Sequence, residues 1–321
     1  AMIARALAGV QKAGVAVQRT LCSAAVAADP IQAYREHPQS HYKFPVEGVE
    51  FSVGKHFTRG DPAPMIKHVD HESEFPGIHH ITPWAKTAFC FFGEKGNIGK
   101  KTKFTTSQDG IISDPLEAQH EITLVSDGIC GSAGSNEDLM DYCSWLDAIR
   151  EKYVEHLVSE YDSYPVLQKK FGALMDGGDE EVLAKMLQMI VHSPVKYAKA
   201  PDGFEDKTRP LIPMRQKLYY RGKPSRSHKI RSERDEEMLK RGYVRKHVPL
   251  YTRNGNEIPL TEAQLFSGTV VSVESRLLCN LYDVGGNIGA SFKRNMYSVV
   301  QLEEEGAAAH TPHSPFQDYN L

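Results

Sequence analysis

Residues 268–305 read GTVVSVESRLLCNLYDVGGNIGASFKRNMYSVVQLEEE, and this stretch decides the fold. Two runs rich in β-branched and aromatic residues, 269–282 and 290–302, flank the segment DVGGNIG. Gly, Asn and Asp supply the backbone conformations that a chain reversal needs. The pattern predicts a β-hairpin near the C-terminal end of a sheet. Because an isolated hairpin is only marginally stable in water, upstream strands must complete a barrel or sandwich around it.

The composition is that of a soluble globular protein, with 321 residues, 40% hydrophobic and 25% charged. The chain has no apolar run of about 18 residues, the length that a membrane span requires. Its net charge of −3 gives no nucleic-acid signal for the molecule as a whole. The distribution differs, since residues 207–246 contain fourteen Lys and Arg against four acids. This local excess marks a basic region.

The cysteines are odd in number, scattered and free of any CxxC pair. They are Cys22, Cys90, Cys130, Cys143 and Cys279. This usage argues against a disulfide scaffold and a zinc knuckle, and it favours a reducing compartment.

The N-terminal residues resemble a targeting segment. Residues 2–28 contain no acid and are rich in Ala and Val, with Arg5, Lys12 and Arg19 spaced seven apart. On a helix this spacing places the cations on one side, as in a mitochondrial transit peptide, although an ordinary Ala-rich surface helix has the same pattern.

Residues 29–83 are rich in Pro, His and Gly and predict a loop-rich N-terminal extension. The pattern HxxHE at residues 68–72 does not match a zincin site, which needs two His four apart on a helix. We expect these histidines, with His79 and His80, to be solvated, and we predict no metal and no cofactor.

The middle of the chain alternates between strand and helix patterns. Strand-like runs cover residues 84–92, 101–106 and 118–125, and apolar residues recur at helical spacing over 136–171 and 179–192. Tyr164-Pro165 should end or kink the first helix, because proline cannot continue it.

Two later segments have strand periodicity with cations and aromatic rings on one side. In residues 214–221 and 244–253 these side chains alternate with apolar ones, while the highly charged segment 222–242 predicts an exposed loop. Cations neutralise phosphates and tyrosine rings stack on unpaired bases, so such faces suit a single-stranded nucleic acid. The candidate nucleic-acid-binding residues are Arg215, Lys217, Tyr219, Arg221, Arg245, Tyr251, Arg253, Tyr282, Lys293 and Arg294.

The order of residues 212–304 resembles the phage gene 2.5-type single-stranded DNA-binding proteins and the related proteins of large DNA viruses. The resemblance lies in RNGNEIP at 253–259, SGTVVSV at 267–273 and YxxGGNxGASF at 282–292. It implies an OB fold with a helix inserted between strands, and a protein that coats single strands in replication. The phage proteins end in a long acidic tail with a terminal aromatic residue. Here only Asp318 is acidic after residue 305, which puts docking of replication proteins through the tail in doubt.

Together these features predict an α+β protein built on an OB-like antiparallel β-barrel with a long inserted helix and a second helix. The expected parts are a targeting segment (1–28), a loop-rich extension (29–83), an OB-like domain (84–305) with a helical insertion (136–192) and a charged loop (222–242), and a C-terminal tail (306–321). The predicted function is single-stranded DNA binding in mitochondrial DNA replication or repair. Alternatives are an RNA-binding protein or a structural subunit of a mitochondrial ribosome or respiratory complex. No GxSxG, HExxH or Walker pattern points to an enzyme.

Overall fold

The computed structural model describes residues 45–56, 60–69, 76–93, 105–107, 110–112, 118–126, 136–175, 180–224, 233–253, 255–259, 265 and 267–302. The predicted targeting segment, 1–28, and the predicted tail, 306–321, lie outside the described residues.

The strands are β1 Val49–Lys55, β2 Pro62–His68, β3 Ile78–Ile81, β4 Ala85–Phe91, β5 Thr105–Ser107, β6 Gly110–Ile112, β7 Gln119–Val125, β8 Lys196–Lys199, β9 Glu205–Lys217, β10 Tyr219–Arg221, β11 Tyr243–Arg245, β12 Leu250–Thr252, β13 Glu257–Ile258, β14 Val270–Val284 and β15 Asn287–Gln301. The helices are α1 Asn136–Ser159, α2 Pro165–Met175, α3 Glu180–Ile190 and α4 Glu233–Lys240.

The C-terminal hairpin is confirmed as the longest pairing of the sheet. Strands β14 and β15 are antiparallel, and the last pair before the turn is Val284 with Asn287. Gly285 and Gly286 form the turn with φ of +60° and +84°, which L side chains rarely adopt. The reversal therefore takes two residues, tighter than the seven-residue connection expected, because DVGGNIG pairs with itself on either side of the two glycines.

The main sheet has nine strands in the order β13-β12-β15-β14-β4-β7-β9-β8, with β3 also paired to β14. Only the pairing of β12 with β15 is parallel among these ladders. In the part of the chain that the structure describes, the ladder stays open, so the expected barrel is not closed by backbone hydrogen bonds. The sheet curls until β9 approaches β15, where Arg294 donates a side-chain hydrogen bond to the carbonyl of Pro213 over 3.2 Å.

The predicted helices are also confirmed. Helix α1 ends at Ser159, and after a short 3-10 turn α2 begins at Pro165, where the sequence predicts a break. The first half of α1 packs against the sheet in one apolar core. Its second half packs with α2, α3 and the turn end of the hairpin in another. The helices therefore cover one face of β14 and β15, and on the other face Arg276, Lys293 and Tyr297 are wholly or partly exposed.

Two segments expected as loops contain regular structure. Strands β1 and β2 pair with each other, and β3 joins β14 of the main sheet. The ring of Phe51 on β1 stacks on Tyr153 of α1 with centroids 5.1 Å apart, which ties this segment to the helical core. Within the charged segment 222–242, α4 buries Asp235 and Met238.

The histidines were expected in solvent, and for two of them this is wrong. His68 and His80 are both buried. His80 donates through Nδ1 to the carbonyl of Ile78 and accepts from Tyr142 and Ser275 at Nε2. Burial lowers the pKa of His80 to about 3, so the ring is neutral and belongs to the core. Among the described residues, no helix is long and apolar enough to cross a membrane.

Candidate nucleic-acid interface

The outer face of the β14/β15 hairpin carries an aromatic ring surrounded by cations. Residues alternate sides along a strand, and on β15 Arg294 and Met296 are buried while Lys293 and Tyr297 lie on the outer face. On β14, Arg276 is paired with Asn295 and shares that face. We call the set formed by His79, Lys246, Arg276, Lys293 and Tyr297 the Tyr297 patch.

Two cations lie over the ring of Tyr297. The Nζ of Lys246 is 4.8 Å from the ring centroid, and the Cζ of Arg276 is 5.6 Å from it. Both distances are within the range of cation–π attraction. His79 approaches the same ring edge-on, with centroids 5.6 Å apart. The ring is therefore held by its neighbours and is partly exposed.

A β-bulge sets the position of Tyr297. Glu274 is paired with Ser298 and Ser275 with Met296, so Tyr297 is the extra residue on β15. A bulge bends the strand and redirects the side chain that it leaves unpaired. The irregularity in the ladder thus coincides with the residue at the centre of the patch.

Glu274 fixes the histidine of the patch from below. Its carboxylate accepts hydrogen bonds from His79 Nε2 over 2.8 Å and from Ser298 Oγ over 2.5 Å. Burial alone raises the pKa of Glu274, but the hydrogen bonds from His79 and Ser298 outweigh it and hold the pKa below its ordinary value. Glu274 therefore stays ionised and anchors the His79 ring against Tyr297.

Lys246 reaches the patch from the loop after β11. Its Nζ donates to Gln216 Oε1 on β9 over 2.9 Å, which holds the ammonium between β9 and Tyr297. Burial, with the positive charges of Lys293 and Arg276 nearby, lowers the pKa of Lys246 to about 8. Burial and the neighbouring positive charges destabilise the charged form of Lys246, and a nearby anion stabilises it. This position therefore favours a phosphate.

Three of the ten sequence-predicted residues are buried instead of lying at a surface: Tyr219, Arg245 and Arg294. Tyr219 donates to Asp235 of α4 over 2.7 Å, and Arg245 forms an ion pair with the same carboxylate at 3.2 Å. Arg294 donates to two carbonyl oxygens inside the fold. In this structure these side chains hold elements together and present no surface to a ligand.

The other seven predicted residues are wholly or partly exposed, and their contact with nucleic acid stays a prediction. They are Arg215, Lys217, Arg221, Tyr251, Arg253, Tyr282 and Lys293. The structure places Lys293 in the Tyr297 patch, and it places Tyr282 on the same face near the turn, lying over Gly289. Arg215 and Lys217 lie on β9, and Tyr251 is on β12, on the other side of β15 from β14.

Sequence reasoning missed Lys246, Arg276, His79 and Tyr297 as site residues. Tyr297 had an available signal, because it is four residues from Lys293 on one strand and therefore shares its side. Lys246 had none, since its place beside Tyr297 depends on a contact between segments fifty residues apart.

The patch combines the two contacts that a single-stranded nucleic acid requires. Lys246, Arg276 and Lys293 place three cations beside one ring. Cations neutralise phosphates and release counterions, and a tyrosine ring that is partly exposed is a group on which an unpaired base can stack.

No protein-family model matches the chain, and no curated protein matches it. Similar solved structures include gp2.5, a single-stranded DNA-binding protein encoded by bacteriophage T7, at 10% identity and a TM-score of 0.36, covering 75% of this chain and 94% of that one. Another is the single-stranded DNA-binding protein from bacteriophage Enc34 in complex with ssDNA, at 11% identity and a TM-score of 0.34, covering 80% of this chain and 97% of that one. Identities and TM-scores this low do not support a conclusion about function. The function proposed below therefore depends on the residues of this chain.

Proposed function

We propose that this chain is a non-enzymatic protein that binds single-stranded DNA at the Tyr297 patch. The observation that supports the proposal most directly is the placement of Lys246 and Arg276 over one partly exposed ring, with Lys293 on the same face. Each cation contributes a phosphate contact and Tyr297 contributes a stacking surface. Binding by these means has little sequence preference, because every base has a flat face and every nucleotide a phosphate.

The curvature of the sheet supports an OB-like reading of the fold. Strands β15, β14, β4, β7 and β9 follow one another in the ladder, and Arg294 joins the first of them to the last. OB folds bind oligonucleotides with a sheet face and the loops beside it, and the outer face of β14 and β15 is such a sheet face. The helices pack against the opposite face of the hairpin, so the residues of the proposed surface do not pack against these helices.

A fluorescence-anisotropy titration of a labelled oligothymidylate at several salt concentrations tests the proposal. We expect binding at about 50 mM salt that weakens steeply as salt is added, with a log–log slope of about −2 for three phosphate contacts. No binding at about 50 mM salt, or a flat slope, contradicts the proposal. Competition with an RNA oligonucleotide of matching sequence decides between DNA and RNA, since the electrostatic contacts serve both.

The cellular setting that we propose is mitochondrial DNA replication or repair. Its support is the acid-free, Ala-rich segment 2–28 with its three evenly spaced cations. Fusion of residues 1–28 to a fluorescent protein tests it: mitochondrial fluorescence is expected, and a diffuse signal contradicts the setting without affecting the binding proposal.

A further inference from the structure

Phe91, on β4, is a large apolar side chain on the outside of the sheet. It is 48% exposed, whereas its neighbour Phe92 is buried against His120. Contact with water is unfavourable for an apolar ring, but one exposed phenylalanine on a protein surface is common. Phe91 becomes a candidate for ligand contact because of the charged residues beside it.

The residues beside Phe91 form a row across three strands. Phe91 is paired with Glu121 on β7, and Glu121 is paired with Arg215 on β9. Directly opposed residues in antiparallel strands project to the same side, so the three side chains share one face. Lys217 lies two residues beyond Arg215 on β9 and shares that face as well.

Glu121 holds the guanidinium of Arg215 in place. One carboxylate oxygen of Glu121 lies 2.7 Å from both Nε and Nη2 of Arg215. Arg215 is still 56% exposed, while Glu121 is almost covered. The outward side of the row therefore consists of an aromatic ring and a fixed cation, with the carboxylate beneath them.

This row is connected to the Tyr297 patch through the end of β9. Gln216 accepts the hydrogen bond from Lys246, and it is buried on the side of β9 opposite to Arg215 and Lys217. The backbone of Lys246 also donates to the carbonyl of Leu218 over 2.7 Å. Lys246 thus joins Tyr297 on β15 to the end of β9, and the outward side of β9 carries Arg215 and Lys217, with Phe91 two strands further on.

We propose that Phe91 is a second base-stacking position, occupied by the same DNA strand that binds the Tyr297 patch. The inference rests on the proposed function and extends it to a longer binding site that crosses β9, β7 and β4. Phe91 has no hydrogen-bonding group, so it accepts any base. Arg215 and Lys217 contact the phosphates on either side of that base.

Tryptophan fluorescence tests this position directly. The chain has two tryptophans, Trp84 and Trp145, and both are buried. A Phe91→Trp variant therefore adds an exposed tryptophan, and Phe204→Trp adds one at another exposed phenylalanine, 75% exposed in the turn before β9. We expect oligothymidylate to quench the tryptophan of Phe91→Trp because a stacked base contacts it, and to leave that of Phe204→Trp unchanged.

Phe91→Ala supplies a second measurement that does not depend on a new fluorophore. We expect its affinity for a long oligothymidylate to fall about fivefold or more, the loss of one stacked base, with no change for an oligonucleotide too short to span both positions. If the wild-type protein binds and neither quenching nor loss of affinity is seen, the position at Phe91 is wrong and the Tyr297 site stands. If the wild-type protein does not bind, both proposals fail.

Discussion

The guanidinium of Arg294 on β15 donates a hydrogen bond to the carbonyl oxygen of Pro213 on β9 over 3.2 Å. A second donation reaches the carbonyl of Pro194 over 2.7 Å. Pro213 has no N–H and cannot donate to a β-ladder. Where β9 and β15 approach each other, a buried side chain therefore supplies the hydrogen bonds that a pair of backbones would otherwise form.

Replacing Arg294 by alanine should destabilise the fold. The substitution removes the Arg294 donors from the carbonyl oxygens of Pro194 and Pro213 and opens a cavity, so the free energy of unfolding should fall by about 2–4 kcal/mol. Urea denaturation measures this change. The matched control is Lys293→Ala, next in sequence but exposed on the opposite side of β15, for which we expect a change within about 0.5 kcal/mol. Equal stabilities for the two variants contradict the role given to Arg294.

Asp235 should hold the β10–α4–β11 segment in place. Its carboxylate accepts from Tyr219 over 2.7 Å and from Arg245 over 3.2 Å, and all three side chains are buried. Asp235→Ala removes a buried carboxylate from the buried guanidinium of Arg245 and from Tyr219, a cost of about 3–5 kcal/mol. Hydrogen exchange should show loss of protection in residues 233–245 before the rest of the sheet. Glu236→Ala, exposed on the same helix, is the control and should leave that protection unchanged.

Binding should weaken as pH rises through about 8, where Lys246 loses its proton in the free protein. Its ordinary pKa is 10.5, and burial together with the charges of Lys293 and Arg276 lowers it. DNA favours the charged form, so affinity should decrease between pH 7 and pH 9. Lys246→Arg keeps its charge throughout this range and should remove the dependence. An unchanged pH profile in that variant shows that another group titrates.

The same pKa has a consequence for stability with a defined sign. Between pH 8 and pH 10.5 the unfolded chain keeps the proton on Lys246 while the folded chain has lost it. The unfolded state then binds more protons, so the contribution of Lys246 to the free energy of unfolding increases with pH in this window. Comparison of urea midpoints for wild type and Lys246→Met at pH 7.5 and pH 10 measures this contribution. The midpoint of the wild type should rise relative to that of Lys246→Met at the higher pH. A constant difference between the two midpoints contradicts the low pKa.

The features predicted correctly from sequence depend on neighbours along the chain. The turn at Gly285 and Gly286 and the break before Pro165 follow from the backbone preferences of glycine and proline. Helix α1 follows from apolar periodicity, and the β14/β15 hairpin follows from its β-branched runs around the glycine turn.

The errors in the predicted site arise where alternation breaks or distant segments meet. Lys293 and Arg294 are consecutive on one strand and face opposite sides, so only one of them is at the surface. The regular strand ends at Lys217, and after this break Tyr219 faces inward. Arg245 is buried because Asp235 of α4 forms an ion pair with it. The highly charged sequence of residues 222–242 predicts a loop instead of this helix.

The central claim is that DNA lies on the outer face of the hairpin, and a charge-matched comparison of salt dependence tests it most directly. One variant carries Lys246→Ala with Lys293→Ala. The other carries Lys169→Ala with Lys185→Ala, exposed lysines of α2 and α3, which pack against the opposite face. Both lose two positive charges. The first should lose affinity for oligothymidylate and about 1.4 units of the log–log salt slope, while the second should keep the wild-type slope. Equal slopes for the two variants contradict the placement of DNA at the Tyr297 patch.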